Sequence, residues 1–204
     1  MTDSGMSAAI LAGGTATRFG GAIKSNLIID GRDILSRIMD AISGIFNEII
    51  IVTNNPAGYS HFEVKKIISD IFKGVGPLGG IHAALSASSS EAVFVFAGDM
   101  PLLNPEIIYE QVELFKEKQP DALIPRIGDY IEPLHSVYRR SILYALEDYI
   151  LNNTDKSVWR FLNTIQVEYF EPEDEISAAN SFISINSPAD SDLVEKIIQK
   201  RSTS

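Results

Sequence analysis

The most constraining feature is a rhythm of short, wholly apolar runs, each ending in a glycine or polar turn and followed by a segment with helical spacing. Ala8 to Leu11 runs into Gly13-Gly14, Glu48 to Thr53 (EIIIVT) into Asn54-Asn55-Pro56, and Ala92 to Ala97 (AVFVFA) into Gly98-Asp99-Met100-Pro101. A strand with no polar alternation is buried on both faces. The segments between such strands must therefore be helices that cover both sides. Ile34 to Phe46 supplies one, with apolar residues at Ile34, Leu35, Ile38, Met39, Ile42 and Ile45. Gly79 to Ser86, Pro105 to Lys118, Ser141 to Leu151, Val158 to Leu162 and Pro188 to Lys200 read as further helices, with proline at two starts. Lys66-Ile68, Asp121 to Pro125, Leu134 to Tyr138 and Phe182 to Ile185 read as further strands. The expected fold is α/β: a doubly wound, mainly parallel sheet with helices on both faces, one domain over residues 1–204 with a frayed tail at 200–204.

Composition narrows the function. The 204 residues carry a net charge of −10, which lacks the basic footprint of a nucleic-acid binder. With no cysteine there is no disulfide framework, thiolate metal site or cysteine nucleophile. The apolar stretch near the start is too short for a signal segment, and no run approaches the ~18 residues of a membrane span. The expectation is a cytoplasmic protein without membrane or nucleic-acid partners.

Chemistry concentrates after the first strand. Leu11-Ala12-Gly13-Gly14-Thr15-Ala16-Thr17-Arg18-Phe19-Gly20-Gly21, then Lys24, places four glycines, one arginine and one lysine within 14 residues. Glycines let backbone N–H groups converge on an anion. Arg18 can grip a phosphate bidentately and Lys24 adds a point charge. At the carboxyl edge of a parallel sheet, such a loop is where ligands bind. The loop is neither GxGxxG nor GxxxxGKS, which argues against a dinucleotide oxidoreductase and a P-loop NTPase. Asp99, at the end of an apolar strand, is placed to meet the same ligand; Mg²⁺ favours one or two carboxylates plus phosphate oxygens and waters. Lys156 and Arg160 are four apart and could share a helical face, either binding a phosphate or simply solvated. His135 reads as a hydrogen-bonding residue or a base.

LAGG followed by Arg18, Gly20 and Lys24 resembles the signature loop of the doubly wound nucleotidyltransferases, in particular the MobA-type molybdenum cofactor guanylyltransferases. Cytidine-using relatives typically read LAAG, so Gly13 favours the guanine-using branch. The resemblance extends from about Ala8 to Asp192. It implies Asp99 as the Mg²⁺ ligand, Arg18, Lys24 and Asp99 as catalytic residues, and Leu11, Ala12, Gly13, Gly14, Lys24, Asn54, Asp70, Gly79 and Asp99 around the nucleotide. The register leaves Asn54 and Asn55 open. The segments Glu132 to Arg140 and Asp155 to Arg160 resemble the acceptor side, which places His135, Arg139, Lys156 and Arg160 there. Ile185-Asn186-Ser187-Pro188 resembles the closing Asn-Thr-Pro segment, whose asparagine, here Asn186, turns towards the metal; Ser184 stands where the family often has a second Asn. The implied substrates are GTP and a molybdopterin-type acceptor, with partner proteins of cofactor assembly. Other acceptors such as a sugar phosphate, use of CTP, and a non-catalytic nucleotide-binding module remain the alternatives.

Overall fold

The computed structural model describes residues 4–13, 15–16, 22–59, 62, 64 and 66–202. Eight strands form one sheet: β1 Ser7–Leu11, β2 Glu48–Val52, β3 Lys66–Ile68, β4 Ala92–Ala97, β5 Ala122–Ile127, β6 Tyr130–Ile131, β7 His135–Arg139 and β8 Val167–Phe170. The helices are α1 Ile34–Ile42, α2 Pro77–Ala87, α3 Pro105–Lys118, α4 Leu143–Asn152, α5 Val158–Leu162, α6 Glu175–Ser181 and α7 Pro188–Ser202.

Strands β3, β2, β1 and β4 lie side by side and parallel, with Ala9 opposite Ile50 on one side and Val95 on the other. Strand β7 then runs antiparallel between β4 and β5, β8 pairs parallel with β5, and β6 forms a short hairpin on it. The apolar strands are buried on both faces, as their composition requires. Ala8, Ile10, Ile49, Ile51, Phe94 and Phe96 pack with α1, α3, α6 and α7; their neighbours Ala9, Ile50, Val52, Val93 and Val95 pack with α2, α4 and α5. This is the expected doubly wound arrangement. Each fully buried Ile or Phe contributes roughly 1.5–3 kcal/mol through removal of apolar surface from water.

Local chemistry sets the helix starts. Asp33 accepts from the Ser36 N–H at 2.8 Å and opens α1; Asn104 accepts from the Glu106 N–H at 2.9 Å and opens α3, with Pro105 in its first turn. Gly76, at φ 65° and ψ −148°, turns the chain into α2, a conformation that only glycine adopts readily.

Two expectations need correction. Phe182 to Ile185 is not a strand: it buries Phe182 and Ile185 in the core, but its backbone finds no ladder, and the Ile185 N–H instead donates to the Asp99 carbonyl at 2.9 Å. The helix over 188–202 continues past Lys200 to Ser202, where a frayed tail was expected. Among the described residues, no helix is long and apolar enough to cross a membrane.

Candidate active site

The order β3-β2-β1-β4 reverses direction between β1 and β4. The chain leaves β1 towards β2 on one side, and β4 lies on the other. A crevice opens at the carboxyl edge of such a switch point because the two connections depart in opposite directions. Here it forms a cleft of about 410 Å³, with Leu11, Ala12 and Gly13 after β1, Asn54 after β2, Asp70 after β3 and Gly98-Asp99 after β4 on its walls.

The floor of the cleft is held by backbone. The Ala12 N–H donates to the Val52 carbonyl at 2.8 Å, the Gly98 N–H to the Leu11 carbonyl at 3.0 Å, and the Ala97 N–H to the Leu134 carbonyl at 2.8 Å. A Cβ on Gly98 would lie 2.9 Å from that Leu11 oxygen, so this closeness demands glycine. At one end, the Asn54 side-chain amide donates to Asp70 at 2.9 Å, while the Asn55 N–H turns back to the Thr53 hydroxyl. It is Asn54, not Asn55, that lines the cleft. Helix α2 points its N-terminus, through Gly76 and Pro77, at the same end, where its dipole favours negative charge.

At the other end stands Asp99. Among the described residues, no group of three or more His, Cys, Asp or Glu side chains could hold a metal. One carboxylate on the wall of the cleft fits a hard cation that completes its shell with ligand oxygens and water, as Mg²⁺ does. Asn186 is brought to this end by its neighbour Ile185, whose N–H is docked on Asp99; the Asn186 N–H itself donates to Asp190 at 2.8 Å. Arg18 and Gly14 lie outside the described residues. The Lys24 backbone opens a short 3-10 turn, Lys24–Asn26, beside the cleft-lining Ser25.

Several expected residues lie elsewhere. Gly79 does not line the cleft. Its missing Cβ accommodates the Phe72 carbonyl, which such an atom would meet at 2.6 Å, and Gly80 faces the ligand space instead. His135 is fully buried, edge-on to Phe94, Phe96 and Phe182 at 4.9–5.4 Å. Burial pushes its pKa down to about 3, so it stays neutral and cannot hold an anionic acceptor. Arg139 pairs in register with Ala92 at the opposite edge of the sheet from Asp99, and its guanidinium donates to the Pro120 carbonyl and the Gln119 side chain. Lys156 lies outside α5, which starts at Val158 behind the Ser157 cap, so it shares no helical face with Arg160. Its ammonium caps α4 through the Ile150 and Asn153 carbonyls. Arg160 is exposed beside Asp155 at 3.5 Å.

Two residues absent from the sequence expectations, Tyr59 and Ser25, shape the site, together with Glu132 of the segment likened to the acceptor side. The Tyr59 hydroxyl is buried between the Ala12 carbonyl and the Ser25 hydroxyl. Glu132, buried behind Leu134, accepts from the Tyr130 hydroxyl and, at 3.0 Å, from the Leu134 N–H. Burial pushes the Glu132 carboxyl up despite those bonds, and the negative charge of Asp99 adds to the rise. Tyr59 is 47 positions from Ala12 in sequence, so no local pattern announces the contact.

Comparison with known proteins gives the family. Residues 8–169 match the MobA-like NTP transferase domain. The chain is 33% identical to a probable molybdenum cofactor guanylyltransferase of Natranaerobius thermophilus, over 98% of this chain and 99% of that one. It is 40% identical to the corresponding protein of Pyrococcus furiosus, over 70% of this chain and 72% of that one. The crystal structure of molybdopterin-guanine dinucleotide biosynthesis protein A from Archaeoglobus fulgidus superposes with a TM-score of 0.82 at 30% identity, covering 96% of this chain and all of that one. The chain belongs to the MobA-like NTP transferase family, and it is a nucleotidyltransferase.

Proposed function

We propose that this nucleotidyltransferase transfers GMP from GTP to a molybdenum-carrying molybdopterin, releases pyrophosphate and leaves a guanine dinucleotide form of the cofactor. The observation that carries the reading is one cleft with the bonded amide and carboxylate pair Asn54 and Asp70 at one end and a carboxylate, Asp99, at the other. The relatives' names supply the base and the acceptor.

In this reading the base lies towards Asp70, and the phosphates lie against the Gly13 backbone, with Lys24 and Arg18 neutralising their charge. Asp99 holds Mg²⁺, which when bound offsets charge on the phosphate oxygens. A terminal phosphate oxygen of the acceptor forms a bond to the α-phosphorus, the bond to the β-phosphate oxygen breaks, and pyrophosphate departs with that electron pair. The attacking oxygen is already anionic, so no base is required, in keeping with a histidine that is sealed in the core. Catalysis is then alignment plus charge stabilisation. Function in the cytoplasm, where such a substrate would be met, belongs to the same proposal.

The test is calorimetry of GTP, CTP, ATP and UTP with and without Mg²⁺, followed by pyrophosphate release with purified molybdopterin. Mg²⁺-dependent binding of GTP alone, with turnover, is the expected result. Preference for CTP or another triphosphate would move base and acceptor elsewhere, and binding without turnover would leave a nucleotide-binding module.

A further inference from the structure

The buried hydroxyl pair behind the cleft has a direction. Tyr59 has a single hydroxyl proton. The Ala12 carbonyl, 2.8 Å away, can only accept, so that proton is committed to it. The Ser25 hydroxyl, 2.6 Å from the Tyr59 oxygen, must then be the donor of their shared bond. The Thr53 hydroxyl also reaches the Tyr59 oxygen, and both bonds oppose the rise that burial imposes on the phenol. Ser25 is 2% exposed but lines the cleft. With its proton spent on Tyr59, it has only lone pairs to offer there. Phosphate oxygens, which are themselves acceptors, gain nothing from such a group. It selects a ligand atom that carries hydrogen.

Strand order says which atom. Along the carboxyl edge the sequence is Asp70 after β3, Asn54 after β2, Ala12 after β1 and Asp99 after β4. Neighbouring strands are about 4.8 Å apart, so the two ends are separated by roughly 14 Å. With the base at the Asp70 end and the metal at the Asp99 end, the sugar falls at the start of the turn after β1, against Ala12, and the phosphates run on along Gly13 towards Asp99. Ser25 is tied to β1 through Tyr59 and Ala12. The donors a nucleotide carries between base and phosphates are its ribose hydroxyls.

We propose that Ser25, oriented by Tyr59, accepts a hydrogen bond from a ribose hydroxyl and so makes the site select ribonucleotides over deoxyribonucleotides. This rests on the nucleotide-binding reading of the cleft. The experiment is calorimetry on the full chain with Mg²⁺ and GTP, 2′-deoxyGTP or 3′-deoxyGTP. Wild type should bind one of the two deoxy analogues about 3- to 10-fold more weakly than GTP, the value of one hydrogen bond. Ser25→Ala should weaken GTP by the same factor and leave that analogue unchanged, so that the preference disappears. A preference that survives in Ser25→Ala overturns the proposal, as does a wild type with no preference. Equal weakening of all three nucleotides does so too, and would place Ser25 with Lys24 or the phosphates. If Ser25→Ala does not fold, Ser25→Cys keeps the size, substitutes a weak acceptor and gives the same readout. Failure of folded wild type to bind GTP at all would instead sink the nucleotide reading itself.

Discussion

Asp99 closes a strand in which all six residues are buried, so the backbone that aims its carboxylate cannot shift without disturbing both layers of helices. Asp99→Ala is expected to lower turnover at least ~10²-fold, as loss of a charge-stabilising group does, with little change in melting temperature. Wild-type rates in that variant would remove the metal from Asp99. His135 illustrates the opposite relation between residue type and role. Neither ring nitrogen has a hydrogen-bond partner, and the ring fills an aromatic cage. The folded state keeps it neutral down to about pH 3, whereas the unfolded chain protonates it below its ordinary 6.5. The unfolded state then binds the extra proton, and stability falls as pH drops below 6.5, by about 2 kcal/mol at pH 5. His82, also held down by burial, contributes with the same sign. His135→Phe should flatten this acid limb without loss of stability at pH 7. Urea midpoints at pH 7 and pH 5 for both proteins check it, and an unchanged slope would show that the ring is hydrated.

Among the elements, the β1–β4 contact leaves no room for a side chain at position 98. A methyl group at position 98 meets the Leu11 oxygen at 2.9 Å and the Ala12 Cα at 3.0 Å, both backbone atoms with nowhere to go. Gly98→Ala should therefore cost about 1–3 kcal/mol and weaken nucleotide binding by parting the two loops. An unaltered urea midpoint would show that the loops yield freely. The same elements show what local sequence can and cannot reveal. The bounds of α3 and α5 are legible because proline, Asn104 and Ser157 act within a turn of themselves. Strand β8, four residues of VEYF with an exposed glutamate, carries no periodicity of its own and exists through parallel pairing with β5, some 45 positions away. Phe182 to Ile185 has strand-like composition, but its apolar side chains serve the core and its backbone serves Asp99.

For the whole molecule, stability and chemistry sit at opposite edges of the sheet. Glu48, at the amino end of β2, accepts from the Ser7 hydroxyl and from the Ser89 N–H and hydroxyl, with the Lys66 ammonium at 3.0 Å. Burial alone would raise its pKa, but these bonds bring it to about 2. A depressed carboxylate stabilises the fold above its unfolded value near 4.5, and that contribution is lost as pH falls towards 2. Glu48→Gln should thus be less stable at pH 7 by roughly 1–3 kcal/mol, with a shallower acid limb below pH 4.5 and unchanged GTP affinity. A change in affinity would mean that the two edges are coupled. Gly13 and Asp99 were legible because each follows an apolar strand, and topology carries such residues to one edge, whereas Asn54 and Asp70 came from the family resemblance. The acceptor side was not, because basic residues look alike in sequence whether they cap a helix, as Lys156 does, or face a ligand.

The strand order has an evolutionary corollary. In the proposed pose, groups at the base end ride on the turns after β2 and β3, whereas the turns after β1 and β4 carry the sugar, phosphate and metal contacts. Each pair can vary without moving the other, because the parallel ladder of β3, β2, β1 and β4 beneath them fixes their register. A lineage could exchange one nucleobase for another by rewriting two surface turns while inheriting the transfer chemistry intact.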